Sequence, residues 1–362
     1  MGAAAPPSSN GAGRALRSSH SGQATISHAQ PSRATQHLME STMAFTLDPE
    51  LAAVLQALAE QSDPTPPPER DDWRTLRARG TASMRWMVSL LPAYPSGYPL
   101  VKASSHKVRS ADGAEILVRW YEKAESAPGS AVVYAHGGGM IAGSVDLYDS
   151  AVAGYVQATG VPFLSVDYRL APDAATGTGP VEDVFAALTW LGDQAPELRV
   201  DPRRVAVMGD SAGGGLAAGV AILARDRGVP LARQALLYPM LDDRTLTPDP
   251  LLTPYVAWSW DDNWTGWHAL LGAAFGTDDV PPQVAPARVA TVEGLAPAYV
   301  EVGELDIFRA EAVTYAQRLA DADIPTELHL HSGAIHEYDR LAPASRLARR
   351  AMEDRMRVIS SL

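Results

Sequence analysis

Gly209-Asp210-Ser211-Ala212-Gly213 fits the pattern G-x-S-x-G, and the residues on either side of it decide the fold. Arg204-Val205-Ala206-Val207-Met208 is a short β-branched apolar run, while Gly214 to Arg227 is rich in Ala, Leu and Val and has no proline. Strand, sharp turn and helix are therefore expected in that order, with Ser211 as a candidate nucleophile at the turn. Small residues beside it let neighbouring backbone approach a serine held in a strained conformation. The competing reading is an ordinary glycine-rich turn in a chain that has 29 glycines. The motif alone does not choose between them.

Strands and helices alternate on both sides of this unit. Upstream, Ser105 to Val108 and Glu115 to Tyr121 form an expected hairpin about Asp112-Gly113. Ala131 to Tyr134 reads as a strand ending in His136-Gly137-Gly138-Gly139, followed by a helix from Leu147 to Ala158. Pro162 to Val166 is a strand ending in Asp167-Tyr168-Arg169-Leu170-Ala171-Pro172, and Val181 to Leu191 is a helix. Downstream come the strand Gln234 to Tyr238, an insertion from Asp242 to about Gly294, and the strand Ala298 to Val302. A helix from Phe308 to Ala322, the strand Thr326 to His331 and a helix from Ala344 to Ile359 complete the pattern. Such alternation predicts an α/β fold: a mostly parallel, doubly covered sheet of about eight strands. Ligands bind such sheets at the carboxyl ends of the strands.

Before the first strand, Asp48-Pro49-Glu50 precedes an apolar stripe of Leu51, Val54, Leu55 and Leu58, and a second helix is expected from about Arg70 to Leu91. That second segment carries the bulky set Met84, Trp86, Met87, Leu90 and Leu91. The expected organisation is a disordered extension over 1–43, cap-forming helices over 44–100, a core over 101–241 and 295–362, and a cap insertion over 242–294. Residues 1–43 are rich in Ala, Ser, Gly, Pro and Gln without periodicity, and Met43-Ala44-Phe45 is an alternative start.

With 362 residues, 46% hydrophobic and 20% charged, the composition suits one elaborated globular domain. A formal charge of −12 argues against nucleic acid and anionic membranes as partners. The absence of cysteine excludes disulfides, thiolate metal sites and a cysteine nucleophile, and fits a cytoplasmic location. No secretory h-region and no 18-residue apolar run is present, so no membrane span is expected.

A serine hydroxyl needs a base with a pKa near ~6.5, and that base needs a carboxylate to fix its tautomer. After Ser211 the histidines are His268, His329, His331 and His336. His329 and His331 alternate within a strand and lack an evident third metal ligand. His336 lies in the loop beyond and is the preferred base. For the acid, Asp306 is preferred over Asp242 and Asp243, because one helix and one strand separate it from His336. Asp242 stays in reserve, and a helix cap is the competing role for Asp306. His136-Gly137-Gly138-Gly139 suits an oxyanion loop, with the N–H groups of Gly138, Gly139 and Ala212 as expected donors. His136 is expected to be structural.

Five stretches in order give a resemblance: His136-Gly137-Gly138-Gly139 through Ser144, Asp167 to Pro172, Gly209 to Gly214, Val302 to Asp306, and Gly333-Ala334-Ile335-His336. They resemble the hormone-sensitive-lipase-like branch of the α/β-hydrolases, from about Ser105 to the C-terminus. The resemblance implies a Ser211–His336–Asp306 triad, a helical cap, and hydrolysis of short- to medium-chain or bulky carboxylic esters through an acyl-enzyme. It implies no cofactor and no metal, a small-molecule ester as partner, and leaves a homodimer open. Two departures stand out: Asp173 to Gly179 replaces an acidic, proline-containing turn, and Glu337-Tyr338 stands where Gly-Phe is common. A lactonase, an amidase or a non-catalytic binding protein are the alternatives on the same fold; His336 argues against the last, since some plant receptors resembling this family lose that histidine.

Four of the eight tryptophans, Trp258, Trp260, Trp264 and Trp267, fall together in the insertion. Pocket candidates are therefore Met84, Trp86, Met87, Trp258, Trp260 and Trp264, with plain core packing as the competing reading.

Overall fold

Apolar β-branched runs fully covered on both faces make the centre of this protein a parallel sheet. The computed structural model describes residues 45–61, 66–124 and 129–362. The expectation of disorder over 1–43 lies outside them. Two helices come first, α1 (Pro49–Gln61) and α2 (Trp73–Ser89). The hairpin of β1 (Val101–Arg109) and β2 (Glu115–Lys123) turns at Gly113 and pairs Val108 with Ile116. Next come β3 (Gly129–Ala135), α3 (Val145–Thr159), β4 (Phe163–Asp167) and α4 (Gly179–Asp193). Then β5 (Val200–Asp210) leads into α5 (Ala212–Arg227), and β6 (Arg233–Leu237) follows. The insertion contains α6 (Trp260–Leu271) and short 3-10 turns; β7 (Ala298–Gly303), α7 (Arg309–Asp321), β8 (Thr326–His331) and α8 (Arg346–Ser360) complete the fold.

The eight strands lie in the order β1-β2-β4-β3-β5-β6-β7-β8, and β2 alone runs against the rest. Ser211 therefore stands near mid-sheet, at the carboxyl end of β5. Every residue of α5 from Ala212 to Ala224 is buried, which accounts for its small side chains. No described helix is long and apolar enough to cross a membrane.

Two ionic fastenings hold the parts around Ser211. Arg77 of α2 donates to the carbonyls of Ile141 and Ala171 and to both oxygens of Asp173, which ties α2 to the loop after β3. Arg355 of α8 is buried and bonds Glu301 of β7 and Asp339, three residues past His336. Charges so placed are tolerated only when paired and hydrogen-bonded.

Candidate active site

Ser211 takes φ 54° and ψ −120°, a region that favours glycine, between the last residue of β5 and the first of α5. Strain of this kind costs on the order of 1–3 kcal/mol and survives where the surroundings over-determine it. Here the Ser211 N–H donates to Leu237 O at 2.9 Å, and its carbonyl accepts from Met240 and Gly215. Gly213 must be small, since a Cβ there would lie 2.1 Å from the Ala135 carbonyl oxygen. Asp210 is buried and accepts from the hydroxyls of Tyr134 at 2.6 Å and Tyr148 at 2.8 Å, anchoring the turn to β3 and α3.

The loops after β7 and β8 run side by side because those strands pair in parallel. Leu305 N–H donates to Ala334 O at 2.8 Å, and Glu304 accepts from Ser332 and Gly333. This zipper brings His336 and Asp306 together: the imidazole Nδ1–H donates to Asp306 Oδ2 at 2.7 Å, and the Ser211 hydroxyl donates to Nε2 at 2.9 Å. Asp306 Oδ1 also accepts from the Phe308 N–H at 3.0 Å, a turn bond two residues on, while α7 starts from Phe308 without a side-chain cap, so Asp306 does not take the competing helix-cap role. Phe308 and Tyr238 present ring edges to the imidazole at centroid distances of 5.2 and 5.1 Å. All three members of this chain are buried. Burial disfavours the imidazolium of His336, but the charge and hydrogen bond of Asp306, then the charges of Glu337 and Asp210, outweigh it and leave its pKa raised.

The other candidates stand apart. Asp242 pairs with Arg244 and Asp243 with Arg288. His268 meets Asp71 and stacks on Trp264. His331 is buried beneath the sheet edge, and His329 bonds Glu327 at 2.7 Å. Glu327, His329 and Asp354 approach one another, but Arg357 bonds both carboxylates, making an ion-pair cluster. His136 donates from Nδ1 to Gly137 O at 2.8 Å and stacks on Tyr168.

Beside Ser211 opens a cleft of about 210 Å³. Gly138 and Gly139 line it at φ 122° and 61°, and among the described residues their N–H groups and that of Ala212 have no acceptor. Met84 and Met87 of α2 and Trp258 of the insertion also line it; a Cβ on Gly139 would fall 2.4 Å from the Trp258 ring. Trp86, Trp260 and Trp264 do not line this cleft, contrary to expectation. Trp86 lies about 200° around the helix from Met84 and lines a separate groove with Val54 and Leu341. Trp260 is core, and Trp264 stacks on His268 and meets Phe275 edge to face. Sequence reasoning missed Leu76, Gly80, Ser83, Asp262 and Glu337 as cleft residues. The helical stripe Leu76, Gly80, Ser83, Met84, Met87 carried a signal for the first three.

A family described as having the α/β-hydrolase fold matches residues 132–340, more than half of the chain. The carboxylesterase NlhH of Mycobacterium tuberculosis is 35% identical over 224 residues, 58% of this chain and 67% of that protein. An ethyl acetate hydrolase of Pseudomonas putida is 32% identical over 236 residues, 64% of this chain and 73% of that protein. Among solved structures, a bacterial heroin esterase superposes with a TM-score of 0.77 at 33% identity, covering 87% of this chain and 98% of that one. An esterase from the archaeon Pyrobaculum calidifontis gives 0.75 at 30% identity, covering 88% and 99%. By sequence and by fold, the chain belongs to the α/β-hydrolases, in their hormone-sensitive-lipase-like branch.

Proposed function

We propose that this carboxylic ester hydrolase works through an acyl-enzyme formed on Ser211. His336 Nε2 takes the hydroxyl proton as Ser211 Oγ attacks the ester carbonyl, and Asp306 holds the ring in the tautomer whose Nε2 is free to accept. The N–H groups of Gly138, Gly139 and Ala212 receive the developing oxyanion, Ala212 adding the positive end of α5. His336 then protonates the leaving alkoxide, and water repeats the sequence on the acyl-serine. The observation that carries this reading is the unbroken hydrogen-bond chain from Ser211 through His336 to Asp306 at the floor of the cleft.

The cleft's modest size and apolar Met84, Met87 and Trp258 walls support short- to medium-chain or bulky esters as substrates. Helix α2 and the insertion after β6 act together as the cap, since both supply cleft walls. The test is turnover of p-nitrophenyl butyrate with mass spectrometry of the trapped intermediate. Ser211→Ala should lose activity by about 10⁶-fold, and the wild type should carry a butyryl group on the Ser211 peptide. Undiminished turnover by Ser211→Ala would overturn the mechanism.

A further inference from the structure

Glu337 follows His336 with its backbone at φ 56° and ψ 25°, a conformation that side-chain-bearing residues seldom adopt. That turn sends a carboxylate into the wall of the cleft, where the side chain is one-fifth exposed. Among the described residues nothing donates a hydrogen bond to it. The nearest cation is Arg340, whose Nε lies 3.9 Å from Oε1, beyond hydrogen-bonding reach. Arg340 is itself drawn towards Asp210 at 3.6 Å and lies 4.0 Å from the centre of the Tyr148 ring.

The cleft's other carboxylate, Asp262, is already engaged by the N–H and hydroxyl of Ser259. Its other charged residue, Arg79, is exposed and donates to Pro66 O. Glu337 thus retains open acceptor positions inside a partly desolvated cleft. The same cleft presents the indole of Trp258, held at its Nε1 by Asn263 at 3.4 Å. A carboxylate with free lone pairs and an indole face are the two groups that together hold an alkylammonium, one by charge and the other by its ring quadrupole. In the cleft lining itself the carboxylates Glu337 and Asp262 outnumber the one arginine, Arg79.

We propose that Glu337 and Trp258 form a cation subsite, through which the enzyme selects esters bearing a protonated or quaternary amine over neutral esters of the same shape. This rests on the reading that the cleft at Ser211 is the substrate site. Two butyrates test it, one of 2-(trimethylammonio)ethanol and one of 3,3-dimethylbutanol, which differ by a charged nitrogen in place of carbon. The full chain should favour the cationic ester by about tenfold in kcat/KM, the size of effect a partly shielded ion pair supports. Glu337→Gln should bring that ratio close to one, and Trp258→Leu should lower it part of the way.

Calorimetry with the two intact esters on the Ser211→Ala protein supplies a readout that needs no turnover. The cation should again bind about tenfold tighter, and adding Glu337→Gln should remove the difference. Equal binding of the two esters, or a ratio that Glu337→Gln leaves unchanged, would overturn the subsite. If Glu337→Gln does not fold, Glu337→Gly, which suits the left-handed backbone, carries the same comparison. Failure to hydrolyse either ester would count against the acyl-enzyme reading, while the calorimetric arm still decides the subsite.

Discussion

The carboxylate of Asp306 meets the imidazole of His336 at 2.7 Å across 30 residues of chain, because two parallel strands end side by side. Asp242, the other acid at a neighbouring strand end, is committed to Arg244 at 2.7 Å on the surface. Asp306→Asn should therefore lower kcat by about 10⁴-fold, as expected when a base is held in the wrong tautomer. Asp242→Asn should change it by no more than a few-fold. Steady-state kinetics with circular dichroism as a folding control checks this, and the reverse order would transfer the acid's role to Asp242.

His336 must be neutral to accept the serine proton, and its pKa stands above the ordinary imidazole value. The acid limb of kcat/KM should accordingly fall above pH ~6.5. Glu337→Gln removes one of the charges that raise it and should move that limb to lower pH. Stability runs the other way. A raised folded-state pKa contributes stability in full below the unfolded value and loses it as pH rises through the folded one. Over that window the His336 contribution to Tm should decline while activity climbs, and His336→Ala should remove that part of the slope.

Arg355 bonds Glu301 and Asp339 with almost no exposure. Replacing it by Met leaves two buried carboxylates without their cation, a change that costs about 3–5 kcal/mol. Thermal unfolding of Arg355→Met should show a Tm lower by several degrees, partly restored by adding Glu301→Gln. An unchanged Tm would mean that the pair contributes nothing.

The sheet, the nucleophile turn and the loops carrying Asp306 and His336 were legible because each depends on local pattern: a buried run, a small-residue turn, a short polar loop at a strand end. The start of β1 at Val101 was hidden by Lys102, Ser104 and Ser105, polar residues exposed on a strand that is paired on one side only. The ionic fastenings were illegible for a different reason. Arg77 with Asp173 and Arg355 with Glu301 join residues far apart in sequence, and nothing beside Arg355 or Glu301 in the sequence signals that they are buried. The segment Asp173 to Gly179, noted only as a departure from the family pattern, contributes Asp173 to the contact that ties α2 to the oxyanion loop. For the tryptophans, helical spacing grouped Trp260 and Trp264 correctly on α6 but carried no information on which way that helix faces.

Trp258 precedes α6 and reaches the cleft from a loop, its ring packed against Gly139 closely enough to exclude any Cβ there. That ring limits the space available to an acyl chain next to the oxyanion loop. Trp258→Ala should therefore raise kcat/KM for a dodecanoyl ester relative to an acetyl ester by about tenfold or more, the scale at which pocket volume discriminates apolar groups. Trp264→Ala should instead lower Tm through the lost stack on His268, which meets Asp71 ahead of α2, and leave the chain-length ranking as it is. Trp86→Ala should do the same, since Trp86 lines a groove on another side of α2. A panel of acetyl, hexanoyl, dodecanoyl and aryl esters, run beside melting curves, measures both effects. An unaltered ranking in Trp258→Ala would remove that residue from the specificity wall and leave Met84 and Met87 to set the acyl limit.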